Sequence, residues 1–122
     1  MRVVHITPSL SRSGGGLMPA IQGLLFGLKR QGVEVAACGF EDEQWGVDRP
    51  GWGDIEVEAF KKLGPSFWPM SWGLKRRLES VEMDILHVHG LWQYPNYLAT
   101  QIQWRRKVPV LVSLHGMLDA RA

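Results

Sequence analysis

Five short apolar runs punctuate the chain: Arg2–Ile6, Val33–Cys38, Ile55–Phe60, Asp84–His89 and Val110–Leu114. They read as strands buried in a parallel sheet. Between most of them the apolar period lengthens to that of a helix. After Gly14 to Gly16, residues Leu17, Ile21, Leu24, Leu25 and Leu28 recur at helical spacing, with Pro19 tolerated in the first turn and Gly32 as a stop. The other stripe of this helix carries Ala20, Gly23 and Gly27, small residues that predict a close approach to a sheet or a neighbouring helix. A second helix is predicted to start at Ser71, an N-cap type residue, with Leu74, Leu78 and Val81 on one face and Lys75, Arg76 and Arg77 around the other. A third runs from about Pro95 to Arg106 and turns Leu98, Ala99 and Ile102 inward. The stretch Glu41 to Asp54 has no period and is rich in Gly, Pro, Asp and Trp, so it reads as a surface loop.

Strands alternating with helices through right-handed crossovers make a doubly wound, open α/β parallel sheet, with an expected strand order of 3-2-1-4-5. Ligands on such sheets bind beyond the carboxyl ends of the strands where the winding reverses, here between strands one and four. Three segments end at that point: the loop Thr7 to Gly16, the segment from His87 to Trp92, and the segment from Ser113 to Asp119.

The chemistry in those segments is of two kinds. Glycines 14 to 16 precede a helix, whose start offers unpaired N–H groups and a positive dipole end to an anion such as a diphosphate. A dinucleotide fingerprint fits them poorly. Pro19 stands where the third glycine of G-x-G-x-x-G belongs, and Thr7 to Ser13 separate the strand from the glycines. The other group is histidine. His87 and His89, two apart on one strand, leave by the same face, a spacing that also suits a metal. No acidic or cysteine ligand is placed to complete such a site, so no metal is assigned, and His87 reads as a buried histidine satisfied by backbone. His89 and His115 fall at strand ends, each followed by glycine, where a side chain is expected to face the crevice.

Composition narrows the setting. A chain of 122 residues fits one domain with a core that needs no staples, and 45% hydrophobic with 21% charged residues excludes disorder and fibrous architectures. The lone Cys38 excludes a disulfide framework and points to a reducing compartment. The apolar run after Met1 is too short for a signal peptide and nothing reaches transmembrane length, so the expected location is the cytoplasm. A net charge of +2, scattered apart from two basic clusters, argues against nucleic acid as a partner.

Four segments in register carry a family resemblance: Ile6-Thr7-Pro8-Ser9, Ser13-Gly14-Gly15-Gly16, Asp84-Ile85-Leu86-His87-Val88-His89-Gly90-Leu91-Trp92 and Ser113-Leu114-His115-Gly116-Met117-Leu118-Asp119. In order and spacing the chain, from Met1 to about Asp119, resembles the N-terminal half of group 1 glycosyltransferases, nearest to those that build exopolysaccharide or lipopolysaccharide. The resemblance implies a Rossmann-like, acceptor-side N-terminal domain over residues 1–122 of a two-domain GT-B architecture, truncated after the fifth strand. It implies hexose transfer from a nucleoside diphosphate sugar to an acceptor hydroxyl with retention, with no cofactor and no required metal. By position, Gly15 and Gly16 would bring backbone amides to the donor diphosphate, His115 would stand beside the transferred sugar as the catalytic residue, and His89 would line the acceptor crevice. No role passes to Asp119. Cationic clamps and a Glu-x7-Glu motif belong to the family's C-terminal domain, which is the missing partner. Valine at Gly15 or Gly16 is expected to reduce turnover with little effect on stability. Alternatives are a free-standing Rossmann-type binding module without transferase activity and a small dinucleotide-dependent enzyme.

The segment Phe67 to Arg77 sets aromatic residues beside a basic cluster, a composition suited to an anionic membrane surface, as a lipid-linked acceptor would favour; the plainer expectation is a solvated helix with its tryptophans packed inward. Exposed apolar surface beside the fifth strand predicts self-association of the isolated chain.

Overall fold

The computed structural model describes residues 1–66, 68–90 and 93–115. Strands β1 (Arg2–Thr7), β2 (Glu34–Phe40), β3 (Glu56–Phe60), β4 (Ile85–His89) and β5 (Val110–Ser113) form one sheet in the order β3-β2-β1-β4-β5. Every pairing is parallel. The expected order is therefore the observed one, and each expected strand is present with its ends moved by a residue or two. Helices α1 (Leu17–Arg30), α3 (Trp72–Ser80) and α4 (Tyr94–Arg106) connect them, with a single-turn α2 (Trp45–Asp48) between β2 and β3.

Alternation along the strands divides the core. Val4 and Ile6 of β1 join Leu86 and Val88 of β4 on the face covered by Leu74 and Leu78 of α3 and Leu98 and Ile102 of α4. Val35 and Ala37 of β2 face the other way, toward Ile21 and Leu25 of α1. Ile21 and Leu25 are 0% exposed, and each such burial stabilises the fold by about 1.5–3 kcal/mol. Ser71 caps α3 as its sequence predicts, accepting the Leu74 amide at 3.1 Å. The Cys38 thiol is buried in the α3/α4 face, and desolvation pushes it up to about 12, so it is an inert packing group.

Three expectations fail. The segment 41–54 is not a plain surface loop. It contains α2 and a 3-10 turn, Arg49–Trp52, and it buries Trp52, whose indole donates to the Leu10 carbonyl at 2.9 Å. Single-turn helices are shorter than the window in which a period can show. Leu24 is 39% exposed rather than inward. Ala20 and Gly23 are likewise exposed, and a Cβ on Gly23 would meet nothing within 4 Å, so their stripe of α1 makes no close approach. The tight contacts lie elsewhere: a Cβ on Gly39 would come within 2.6 Å of the Thr7 carbonyl oxygen, and one on Gly73 within 2.6 Å of the Phe60 ring.

Among the described residues, no helix is long and apolar enough to cross a membrane.

Candidate functional site

A crevice of about 680 Å³ opens at the carboxyl ends of the central strands, lined by Ser13, Gly14, Gly16 and Leu17 on one side and by Gly90, Gln93 and His115 on another, with Asp42 and Lys62 at its rim. It sits where the winding reverses between β1 and β4, as the strand order requires.

The loop after β1 is held from beneath by two carboxylates. Asp42 accepts Ser9 Oγ at 2.9 Å, Ser11 Oγ at 2.5 Å and the Gln44 amide at 3.2 Å. Asp48 accepts the Arg12 amide at 2.7 Å and its guanidinium at 2.6 Å, and these bonds keep its carboxyl below the usual carboxylate range. The loop then turns through a short 3-10 segment, Arg12–Gly14, before α1 begins. Gly15 has φ 66° and ψ −131°, a conformation that only glycine adopts easily, and its N–H is bonded to the Arg12 carbonyl at 2.9 Å. Its amide is therefore engaged, and Gly15 does not line the crevice. The positive φ also overturns the expectation that valine there would leave stability unchanged.

Gly16 is placed differently from Gly15. It is the N-cap of α1 at φ −70°, lines the crevice, and a Cβ on it would meet nothing within 4 Å. The amides of Gly16, Leu17 and Met18 have no acceptor among the described residues, and Pro19 has no N–H to satisfy. Sequence reasoning missed Leu17 and Met18, although the orphaned first turn of any helix is a general signal for them.

The histidines form a chain rather than separate sites. Register pairs His5 of β1 with His87 of β4, and His89 of β4 with Ser113 of β5. Because residues two apart share a face, His5, His87 and His89 lie together on the α1 side of the sheet. His5 Nδ1 is 3.0 Å from His89 Nε2, and His89 Nδ1 is 2.8 Å from His115 Nε2. His5 is 0% and His89 1% exposed, and desolvation, with His87 adding repulsion, brings both down to about 3. Both rings are neutral at physiological pH.

His89, expected in the wall of the acceptor crevice, is thus buried between two imidazoles, and among the described residues His115 links it to the crevice. Face alternation told its side of the sheet but not its depth. His87 is half-buried and bonded through Nε2 to Ser113 Oγ at 2.6 Å, a side-chain partner rather than the expected backbone one. Its burial lowers its pKa as well. Nothing in β1 alone marks His5; the signal is its register with His87.

His5, His87 and His89 each place a ring nitrogen within 4.8 Å of the others, so the structure supplies the third ligand that His87 and His89 lacked. The His87 and His89 rings are stacked, however, at 4.2 Å and 16°, while His5 meets His89 edge to edge through the 3.0 Å contact, with ring centroids 5.3 Å apart. Lone pairs lie in the ring planes, so those of the stacked His87 and His89 rings run side by side instead of converging on one ion.

His115 stands at the crevice with φ 49°, a backbone conformation uncommon outside glycine. The rest of its segment, residues 116–119, and residues 91 and 92 of the earlier motif lie outside the described residues.

This sheet order, with a helix start and two strand ends meeting in one crevice, defines a Rossmann-like α/β domain. Residues 15–122 match the Glycosyl transferase 4-like domain family, and the chain belongs to that family. Its fold is similar to the crystal structure of Acinetobacter baumannii MurG, with a TM-score of 0.58 and 13% sequence identity, over 91% of this chain and 34% of that one. The chain thus spans about a third of the length of that GT-B relative. No curated protein matches it.

Proposed function

We propose that the chain is the N-terminal, acceptor-side half of a retaining glycosyltransferase that transfers a hexose from a nucleoside diphosphate sugar to an acceptor hydroxyl in cell-surface polysaccharide synthesis. The observation that carries this reading is the meeting of unpaired α1 amides and His115 in one crevice at the switch point. In the reaction the anomeric carbon loses its bond to the diphosphate and gains one to the acceptor oxygen, and the acceptor gives up its proton. Negative charge gathers on the leaving diphosphate as the sugar becomes oxocarbenium-like, so preorganised donors at that position lower the barrier. The amides of Gly16, Leu17 and Met18, with the positive end of α1 behind them, supply such donors. Lys62 adds a cation at the rim, while the charge of Asp42 is satisfied by Ser9, Ser11 and Gln44. His115 takes the position beside the transferred sugar.

The acceptor is proposed to be lipid-linked. Leu63 and Met70 pair through mutual backbone hydrogen bonds of 2.8 Å and leave their side chains 47% and 36% exposed, near Trp72 at 64% in the chain. Lys75 Nζ lies 5.6 Å from the Trp72 ring. Trp68, by contrast, packs edge-on against Tyr94. The aromatic-basic segment is split accordingly, one tryptophan inward and one outward. The outward group suits a peripheral seat on an anionic membrane.

Inorganic pyrophosphate titrated into the chain and followed by amide NMR tests the diphosphate assignment. The Gly16, Leu17 and Met18 signals should move first. Movement confined to other amides overturns it. Saturation-transfer NMR with UDP-glucose and NAD separates the transferase reading from a dinucleotide enzyme, since binding of NAD alone would favour the latter.

A further inference from the structure

We infer that His5 and His89 are positioning residues that fix the tautomer of His115, so that His115 presents Nδ1–H to the crevice as a hydrogen-bond donor. The inference rests on the reading of His115 as the residue beside the transferred sugar.

A neutral imidazole carries one donor and one acceptor. His89 uses both nitrogens, one toward His5 and one toward His115, so a single direction of donation must run through all three rings. Two directions exist. If donation runs inward, His115 Nε2–H donates to His89 and His89 Nε2–H donates to His5 Nδ1. The proton of His5 then sits on Nε2, which is buried without a partner. If donation runs outward, His5 Nδ1–H donates to His89 Nε2 and His89 Nδ1–H donates to His115 Nε2. His5 Nε2 is then a bare lone pair, and the proton of His115 lies on Nδ1. Orphaned buried N–H groups are rarer in folded proteins than under-satisfied acceptors, so the outward direction prevails.

The surroundings preserve that direction. Burial keeps His5 and His89 uncharged, so neither can donate from both nitrogens. His87 stacks on His89 and is itself held by Ser113, which blocks a ring flip that would break both bonds. His115 consequently meets an oxygen of the diphosphate or of the sugar as a donor, and a proton-abstracting role through Nδ1 is excluded for it.

Ring-15N histidine NMR at pH 8 reads the tautomers directly in the unmodified chain. The expected result is the Nδ1–H form at His5, His89 and His115, the reverse of what a free imidazole side chain favours. The Nε2–H form at His5 or His89 overturns the proposal, as does a zinc titration in which both rings ligate the metal. His5→Asn, whose amide nitrogen falls near the place of Nδ1, should preserve the His115 tautomer. His5→Leu should turn His115 into a mixture, and an unchanged His115 in a folded His5→Leu protein also overturns the coupling. If that variant does not fold, the unmodified chain still decides. These tautomers do not depend on transferase activity, so the two readings fail separately.

Discussion

His89 Nδ1 lies 2.8 Å from His115 Nε2, which ties a ring that is 1% exposed to one at the mouth of the crevice. The pair divides the labour expected of two strand-end histidines. In the proposed two-domain enzyme, His115→Ala is expected to lower turnover by about 10²–10³, the cost of losing one preorganised donor. His89→Ala is expected to lower it by about tenfold, as an outer partner does, and to weaken the fold by about 2–4 kcal/mol by opening a cavity and stripping two hydrogen bonds. Steady-state rates and urea melts on both variants check this, and a larger rate loss at His89 would reassign the roles.

Burial of the same chain predicts a dependence of stability on pH. His5 and His89 titrate ordinarily at 6.5 and, when folded, at about 3. Well above pH 6.5 neither state binds the protons and this contribution to stability is complete. As pH falls through 6.5 toward 3, the unfolded chain takes up protons that the folded chain refuses, so stability declines by about 1.4 kcal/mol per pH unit for each such proton. Urea midpoints measured between pH 8 and 5 should be level above 7 and fall below 6.5. The window ends before the paired carboxylates Asp48 and Asp54, whose pKa values lie below 3.8, add their own acid sensitivity. A level midpoint down to pH 5 would show that the two rings are hydrated or charged in the folded protein.

Two neighbouring glycines should respond differently to the same substitution. Gly15→Val forces a β-branched residue to φ 66° and should cost about 1–3 kcal/mol of stability. Gly16→Val, at φ −70° with open space around its Cβ, should fold nearly as well yet bind pyrophosphate more weakly, because the side chain obstructs approach to the amides. Thermal melts and titration distinguish the two effects. Equal pyrophosphate binding by Gly16→Val and the unmodified chain would remove the α1 start from the donor site.

What the sequence made legible is what local pattern controls. Runs such as Ile85–His89 declare a strand buried on both sides, and the i, i+4 spacing of Ile21 and Leu25 declares a helix face, because backbone geometry alone brings those residues together. The strand order followed from handedness. The histidine chain was not legible, because His5 and His89 are 84 residues apart and only the register of two non-consecutive strands joins them. Trp52 was hidden for a related reason: its burial depends on a carbonyl at Leu10, 42 residues away, and not on any period of its own segment.

Membrane contact is tested at Trp72. The unmodified chain should co-sediment with anionic phosphatidylglycerol vesicles at low salt and release as salt rises, since the attraction of Lys75 and Arg76 is screened. Trp72→Ala should weaken binding several-fold without unfolding α3, because the ring is 64% exposed. Absence of binding at low salt would end the proposal of a peripheral seat.

The polypeptide of 122 residues is expected to fold alone, transfer no sugar and self-associate. Folding is expected because each face of the sheet has its own buried cluster, built from residues of this chain. Inactivity follows from the proposal that the crevice is one wall of a two-domain site, whose cationic clamps on the leaving diphosphate come from the other half. Self-association follows from β5. Among the described residues it is an edge strand, four residues long, and Leu111, Val112 and the adjacent Leu114 are 52%, 42% and 38% exposed. Apolar side chains beside a row of unpaired backbone groups form a template for a second copy. Light scattering should therefore report dimers or larger species that diminish when Leu111→Lys places a charge on the edge. An assay with labelled sugar nucleotides should show no transfer above background. A clean monomer with measurable transfer would contradict both expectations, because the chain would then complete an active site from its own residues.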